Sequence, residues 1–308
     1  MSQTCDILIV GGGAAGLTAG LYASRGNRNV VLLERAAPGG VAATTDSVEN
    51  YPGFLGAPTG PELMEKFLKH AKQYGTRIDT GEATGLTPGE PMHTVHTSAG
   101  DYTAAAIILA CGANHRKLKV PGEKEFSNRG VSYCATCDGP LFRDKEVLVV
   151  GGGDAAIEGA LFVANFASSV KVIHRRDELR ATKILQERAF REPKISFLWD
   201  SVVTQISGDK LFNGVTMRNV KTDEETSLAA QGLFVLIGSV PNSAWLKGVV
   251  EMDERGYVRI DTFCETNVKG IYAAGEVADA VFRQIVVAAG QGCMAAISAE
   301  RRLQQLTG

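Results

Sequence analysis

Ile7-Leu8-Ile9-Val10 is a short uninterrupted apolar run, the pattern of a strand buried on both faces of a parallel sheet. Gly11-Gly12-Gly13 follows, and Ala14 to Arg25 then places small and apolar residues at helical spacing. Val30-Val31-Leu32-Leu33-Glu34 returns as a strand. Together they make a strand, helix, strand unit of the right length for a right-handed crossover. The pattern recurs. Val147-Leu148-Val149-Val150 leads into Gly151-Gly152-Gly153, a helix is predicted from about Ala155 to Asn165, and Val170-Lys171-Val172-Ile173 closes the second unit.

Between the two units, Thr59 followed by Pro61 predicts a helix start. Its positions Leu63, Met64, Phe67, Leu68 and Ala71 share one face, and Gly75 ends it. Met92 to Thr97 and Tyr102 to Ala104, separated by Ala99-Gly100, predict a hairpin, and Ile107-Ile108-Leu109 a further buried strand. A β-rich stretch runs from Ser196 through Val215 to Leu236. Past Pro241 come a strand at Gly270-Ile271-Tyr272-Ala273, then Gly275-Glu276, and a last helix from about Gln284 to Leu303. The expected architecture is α/β, one domain built from both ends of the chain (residues 1–113 and 244–308) and a second inserted as residues 114–243. The joints fall around Gly112-Ala113 and Gly238 to Pro241.

The chain has 308 residues, enough for two domains at about 100–200 residues each. With 44% hydrophobic and 21% charged residues, disordered, collagen-like and coiled-coil classes are excluded. Lys plus Arg number 32 against 34 acids, a net charge of −2, so neither a nucleic-acid nor a membrane footprint is expected. Ile7 to Ala23 is uncharged but is broken by glycine after four apolar residues, which fits a strand turning into a helix better than a membrane span. Six cysteines are too sparse for a disulfide scaffold, and no basic stretch precedes an apolar one at the N-terminus, so a reducing cytoplasm is expected.

Gly11-x-Gly13-x-x-Gly16 lies between a strand and a helix, where backbone amides approach a pyrophosphate, and Glu34 ends the next strand, where a carboxylate accepts from ribose hydroxyls. The second loop, Gly151-x-Gly153-x-x-Ala156, also suits a dinucleotide. After its second strand stand His174, Arg175, Arg176 and Arg180, and guanidinium groups there pair with a 2′-phosphate and select NADP over NAD. Two dinucleotide sites on one chain suggest a flavin in one domain and a nicotinamide in the other. Cys134-Ala135-Thr136-Cys137 places two thiols within disulfide reach, a dithiol switch matched to the electron pair of a hydride. Zinc would require further ligands at suitable spacing, so no metal is expected. Asp138 is either a proton carrier for the thiols or a turn aspartate before Gly139. Cys5, Cys111, Cys264 and Cys293 are isolated and expected to be bystander thiols.

The order of glycine loop, C-A-T-C-D-G, second glycine loop, H-R-R-x-x-x-R, Ala274-Gly275-Glu276 and Arg283-Gln284 resembles the low-molecular-weight thioredoxin reductases over nearly the whole chain. The resemblance implies FAD in the two-ended domain, NADPH in the inserted one, electron flow through the cysteine disulfide to thioredoxin, and a cytoplasmic homodimer. It implies that Cys137 lies against the flavin, that Cys134 attacks the thioredoxin disulfide, and that Asp138 protonates the departing thiolate. FAD would be lined by Gly11, Gly13, Ala14, Ala15, Gly16, Glu34, Arg35, Gly40, Val41 and Asn50, with Gly112, Gly275, Glu276, Arg283, Gln284 and Ile285. NADPH would be lined by Gly151, Gly153, Asp154, Ala155 and Ala156, with His174, Arg175, Arg176 and Arg180.

Three positions depart from the family pattern. Val41 stands where Gln is usual, Cys111 where the usual triplet is A-T-G, and Glu276 where the usual pair is G-D. The cysteines must meet a flavin at one moment and a protein at another, so the inserted domain is expected to turn about the two joints. A reductase for another disulfide protein, a ferredoxin or flavodoxin reductase, and a redox-sensing flavoprotein are the alternatives; Cys134 and Cys137 speak against the second.

Overall fold

Each apolar run that ends in a glycine triplet becomes an inner strand of a parallel sheet. The computed structural model describes residues 3–45, 47–98 and 100–307. The elements run β1 (Gln3–Val10), α1 (Ala14–Arg25), β2 (Val30–Glu34), α2 (Gly60–Gln73), β3 (Arg77–Thr80), β4 (Ala83–Thr87), β5 (His93–Thr97), β6 (Tyr102–Leu109) and β7 (Ala113–His115). Next come β8 (Val131–Ser132), α3 (Ala135–Asp138), β9 (Glu146–Val150), α4 (Asp154–Ala164), β10 (Ser169–Ile173), α5 (Lys183–Arg191) and β11 (Ile195–Leu198). The chain closes with β12 (Ser201–Gly208), β13 (Phe212–Asn219), β14 (Glu225–Ala229), β15 (Gly232–Val235), β16 (Ser239–Pro241), β17 (Ile271–Ala273) and α6 (Ile285–Thr307).

Two units result, one from Met1–Asn114 with Val240–Gly308, the other His115–Ser239. The second crossing precedes the expected residue 243 because Asn242 and Ser243 bond back into the first unit. Asn242 Nδ2 donates to Cys111 O at 2.8 Å and Ser243 Oγ to Gly256 O at 2.5 Å. The crossing segments, β7 and β16, pair with each other.

In the first unit β3, β2, β1, β6 and β17 lie parallel, and β5 and β4 extend the sheet antiparallel from β6. Alternation assigns the core. Ile7 and Ile9 join one apolar cluster with α1 and α6, Leu8 and Val10 the cluster on the other face. Small residues let α6 approach α1 closely: a Cβ on Gly292 would strike the Ala15 carbonyl. The two short strands expected between Tyr102 and Leu109 are one continuous strand. Ala104, Ala105 and Ala106, weak strand formers, are held in it by burial between neighbouring strands. Ala99, in the turn expected before that strand, lies outside the described residues. Thr59 caps α2 with a reciprocal bond pair to Glu62.

The second unit holds a parallel sheet in the order β11-β10-β9-β15-β8, beside an antiparallel sheet β12-β13-β14. Val147 and Val149 face the cluster under α4, Leu148 and Val150 the opposite one. Among the described residues no helix is long and apolar enough to cross a membrane.

Each unit buries one histidine beside arginine. His93 packs near Arg302 in the first, His174 near the arginines after β10 in the second. Burial holds both imidazoles below the usual 6.5, and the neighbouring guanidinium groups depress them further. The unfolded chain therefore binds the extra protons first as pH falls. The stabilisation is complete above about pH 6.5 and is lost as pH drops through the depressed folded values. Thermal midpoints measured from pH 7.5 to 5 are expected to fall on the acid side, and less steeply in His93→Gln; an identical slope would show that His93 titrates as in the unfolded chain.

Candidate active site

The first candidate cradle forms where β1, β2, β6 and β17 end. Gly11 leaves β1 at φ 108° with its N–H on Leu33 O at 2.8 Å. A Cβ there would lie 2.9 Å from Cys111 Cα and against the Ala110 carbonyl, and one on Gly16 would overlap Gly11 O. These glycines are fixed by close approach. Helix α1 starts at Gly13 without a side-chain cap or an acid in its first turn, so its opening amides and positive dipole end suit a pyrophosphate. The Glu34 carboxylate accepts from Gly12 N at 2.6 Å and Ala36 N at 3.0 Å. It ties the strand end to the loop.

Other predicted residues gather on the same sheet edge. Gly40, at φ 60°, lies against Gly13, and a Cβ on it would be 3.1 Å from Gly13 Cα. Val41 opens a short 3₁₀ turn and is exposed, as is Arg35, 3.9 Å from Glu82. Gly112 is left-handed at φ 64° and faces open space. Gly275, at φ 76°, donates to Gln291 Oε1 and would press a Cβ to 3.0 Å from that of Ala15. Burial pushes the Glu276 carboxyl up, Arg283 draws it back and Asp279 repels it further. Arg283 is itself left-handed at φ 51°, its Nη2 donating to Ala280 O. Gln284, just before Ile285 opens α6, accepts from Asn50 Nδ2 at 3.1 Å. Thus residues far apart in sequence meet.

The second cradle lies where β9 and β10 end. Gly151 extends at φ 150°, and a Cβ on it would come 2.5 Å from both Ala156 Cβ and Leu236 O. Gly153 precedes α4, whose first residues are Asp154 and Ala155, again without a side-chain cap. Arg180 N donates to Gly152 O at 2.7 Å, and Thr182 N to Asp154 Oδ1 at 2.7 Å, so the arginine segment is strapped to the loop. Arg175, Arg176 and Arg180 are exposed. His174 is not, at 5%. Its ring fills the space a side chain at Gly152 would need and stands edge-on to Trp199. Within the basic group it supports the loop from beneath.

The cysteines stand on the same sheet edge of that unit, just past β8. Cys134 and Cys137 are joined by a disulfide with Cα atoms 5.3 Å apart. Cys134 is the N-cap of α3, and its Sγ accepts from Cys137 N at 3.2 Å. Both are partly exposed. Asp138 ends α3, its N–H on Cys134 O at 3.2 Å and its Oδ2 accepting from Ser132 Oγ at 2.5 Å. Ser132 was not legible from the sequence, where its sole signal is standing two residues before Cys134. Gly159 of α4 was missed too: a Cβ there would lie 3.0 Å from Ala135 Cβ and closer still to Leu236 Cδ1. It is the gap into which the cysteine helix packs. Of the remaining thiols, Cys5 and Cys264 are buried, and Cys111 and Cys293 half-buried.

Both cradles fit a dinucleotide, since each presents an uncapped helix start reached through glycines whose side-chain space is taken by backbone or by a supporting ring. Residues 5–292 match the family described as pyridine nucleotide-disulphide oxidoreductase. The chain is 43% identical to a thioredoxin reductase of Streptomyces coelicolor, covering 100% of this chain and 96% of that one. It is 43% identical to one from Bacillus subtilis, with 98% and 95% covered. Among solved structures, thioredoxin reductase from Streptococcus pyogenes superimposes with a TM-score of 0.94 at 41% identity, over 98% of this chain and 99% of that one.

Gly159→Val fills the gap under α3. Overpacking of this kind is expected to cost about 1–3 kcal/mol, read as a lower thermal midpoint and a changed rate of Cys134 alkylation after reduction. A variant with the native midpoint and rate would show that α3 does not depend on that gap.

Proposed function

Because the chain belongs to the pyridine nucleotide-disulphide oxidoreductase family, we propose that it reduces the disulfide of thioredoxin with electrons drawn from NADPH. It is a disulfide oxidoreductase whose redox centre is Cys134–Cys137. The observation that carries the reading is the placement of that disulfide on the sheet edge that also carries the second glycine loop. FAD, when bound, supplies the conversion of a hydride into the electron pair that opens a disulfide.

The chain's own residues do the rest. In the first unit Gly11, Gly13, Ala14, Ala15 and Gly16 would hold the FAD pyrophosphate, and Glu34 with Arg35 the adenosine end. Gly40, Val41, Asn50 and Gly112, with Gly275, Glu276, Arg283, Gln284 and Ile285, would enclose the remainder. In the second, Gly151, Gly153, Asp154, Ala155 and Ala156 would cradle NADPH, His174 would hold the loop, and Arg175, Arg176 and Arg180 would bind the 2′-phosphate. Cys137 would take the electrons first, Cys134 would attack the substrate disulfide, and Asp138 would carry the proton.

Thioredoxin as partner is supported by a Mycobacterium leprae relative named a bifunctional thioredoxin reductase/thioredoxin, 43% identical and 67% covered by this chain. A ferredoxin-flavin thioredoxin reductase from Clostridium acetobutylicum, 30% identical with a TM-score of 0.55, makes the electron source worth testing; the exposed arginine cluster favours NADPH. Free Cys5, Cys111, Cys264 and Cys293 fit a reducing cytoplasm. Exposed Tyr22 on α1 and Val286, Met294 and Ile297 on α6 fit a homodimer, covered by a second copy.

Anaerobic titration of the purified yellow protein with NADPH is expected to consume a second electron pair beyond the one that bleaches the flavin. Turnover with thioredoxin should vanish in Cys134→Ser and Cys137→Ser while the flavin is still bleached. Uptake of one pair only, with both thiols alkylatable beforehand, would leave a flavoprotein without a working disulfide. Replacing Arg175 and Arg176 by Ala is expected to raise the KM for NADPH about tenfold or more per lost phosphate contact and that for NADH little; equal increases would deny the 2′-phosphate contact.

A further inference from the structure

We propose that Ser132 is a positioning residue of the redox centre, its hydroxyl turning between the Asp138 carboxylate and the Cys134 carbonyl as Asp138 gives up and takes up a proton. The inference rests on the reading of Cys134–Cys137 as the cycling pair with Asp138 as its acid. Ser132 ends β8 and is 4% exposed. Its Oγ donates to Asp138 Oδ2 at 2.5 Å, has a second acceptor in Cys134 O at 3.3 Å, and accepts from Cys134 N at 3.1 Å. One hydroxyl therefore links the first cysteine's backbone to the carboxyl of the acid.

Turnover requires that acid to change state. Attack of the Cys134 thiolate on a substrate disulfide forms a mixed disulfide and expels one substrate sulfur as thiolate. Attack of the Cys137 thiolate on Cys134 Sγ then re-forms the Cys134–Cys137 bond and expels the other. The pair loses two electrons and, on becoming thiolates, two protons; the substrate gains two electrons, and each expelled sulfur takes one of those protons. Asp138 must alternate between carboxylate and carboxylic acid to deliver them. As a carboxylate it accepts from Ser132. As an acid it donates to the Ser132 oxygen, whose own proton turns to the Cys134 carbonyl. A hydroxyl offers one proton and two lone pairs, so Cys134 N–H stays held in both states and no buried polar atom at Ser132 loses its partner.

In the 3₁₀ turn Gly139–Phe142 that follows α3 there is no charge. The α4 helix packed on α3 carries only Asp154 and Glu158, both exposed, and Asp154 accepts from Thr182 N. Tyr133, the residue after Ser132, has its hydroxyl on Glu123. The bond to the carboxylate is charge-assisted and roughly twice as strong as the neutral bond the acid form makes, so removing the Ser132 hydroxyl costs the carboxylate more and moves the Asp138 titration to higher pH.

The test is the pH dependence of two rates in the full-length flavoprotein: thioredoxin reduction, and iodoacetamide alkylation of Cys134 after dithiothreitol reduction. Ser132→Ala is expected to move the limb that Asp138→Asn abolishes upward by about one pH unit. Ser132→Thr, which keeps the hydroxyl, should return it. In the Asp138→Asn background, Ser132→Ala should change the alkylation profile no further. Ser132→Gly, equally without a hydroxyl, serves if the alanine variant folds poorly. A limb that stays in place in Ser132→Ala, or an equal shift with and without Asp138, overturns the proposal. Turnover surviving in Cys134→Ser would instead overturn the dithiol reading beneath it.

Discussion

The whole arrangement depends on the close approach of backbone to backbone at the C-terminal edge of two parallel sheets. In such a sheet both faces are consumed by packing, so chemistry is left to the loops that leave the strand ends. At Gly11, Gly16 and Gly151 those loops run so near their neighbours that any side chain would strike main-chain atoms. The approach brings helix amides to the surface where an anion can reach them. It also gathers residues from distant stretches of chain. Glu34 reaches Gly12, Gly275 presses on Ala15, and Gln284 meets Asn50 because their strands and helix share one edge.

The second unit uses the same edge for a different purpose. β8 pairs with β15, which pairs with β9, so the disulfide and the second glycine loop emerge from strands of one sheet at the same end. The α3 segment is only a turn long and has little intrinsic stability. It is held by the Gly159 gap, by Cys134 as N-cap and by Ser132. A dithiol that opens and closes needs local backbone bonds that do not involve the disulfide itself. Asp138 N on Cys134 O provides one.

What was legible in the sequence follows from this physics. Strands buried on both faces announce themselves as apolar runs, so β1, β2 and β9 could be read directly, and β10 by its apolar residues on either side of Lys171. The strand through Ala104 to Ala106 could not be read as continuous, because alanine carries no strand signature and only its neighbours hold it extended. His174-Arg175-Arg176 reads as one basic cluster, yet the imidazole turns inward beneath Gly152 while the guanidinium groups remain in solvent. Asn242 and Ser243 bond to residues 111 and 256, contacts no local pattern reveals. Ser132 was hidden for the same reason: its significance is a pair of distances, with no motif attached.

With six cysteines in the chain, confining thiol exchange to one pair is itself a structural requirement. The reactive species is the thiolate, so a cysteine is silenced by making that anion costly. Burial pushes the Cys5 and Cys111 thiols up to about 12 and that of Cys264 to about 11, far above neutral pH. Cys111 lies beside Gly11 on the first cradle. Cys134 and Cys137 are partly exposed, and an amide N–H of their own short helix points at Cys134 Sγ, which favours negative charge on that sulfur. Burial thus makes the thiolate costly at Cys5, Cys111 and Cys264.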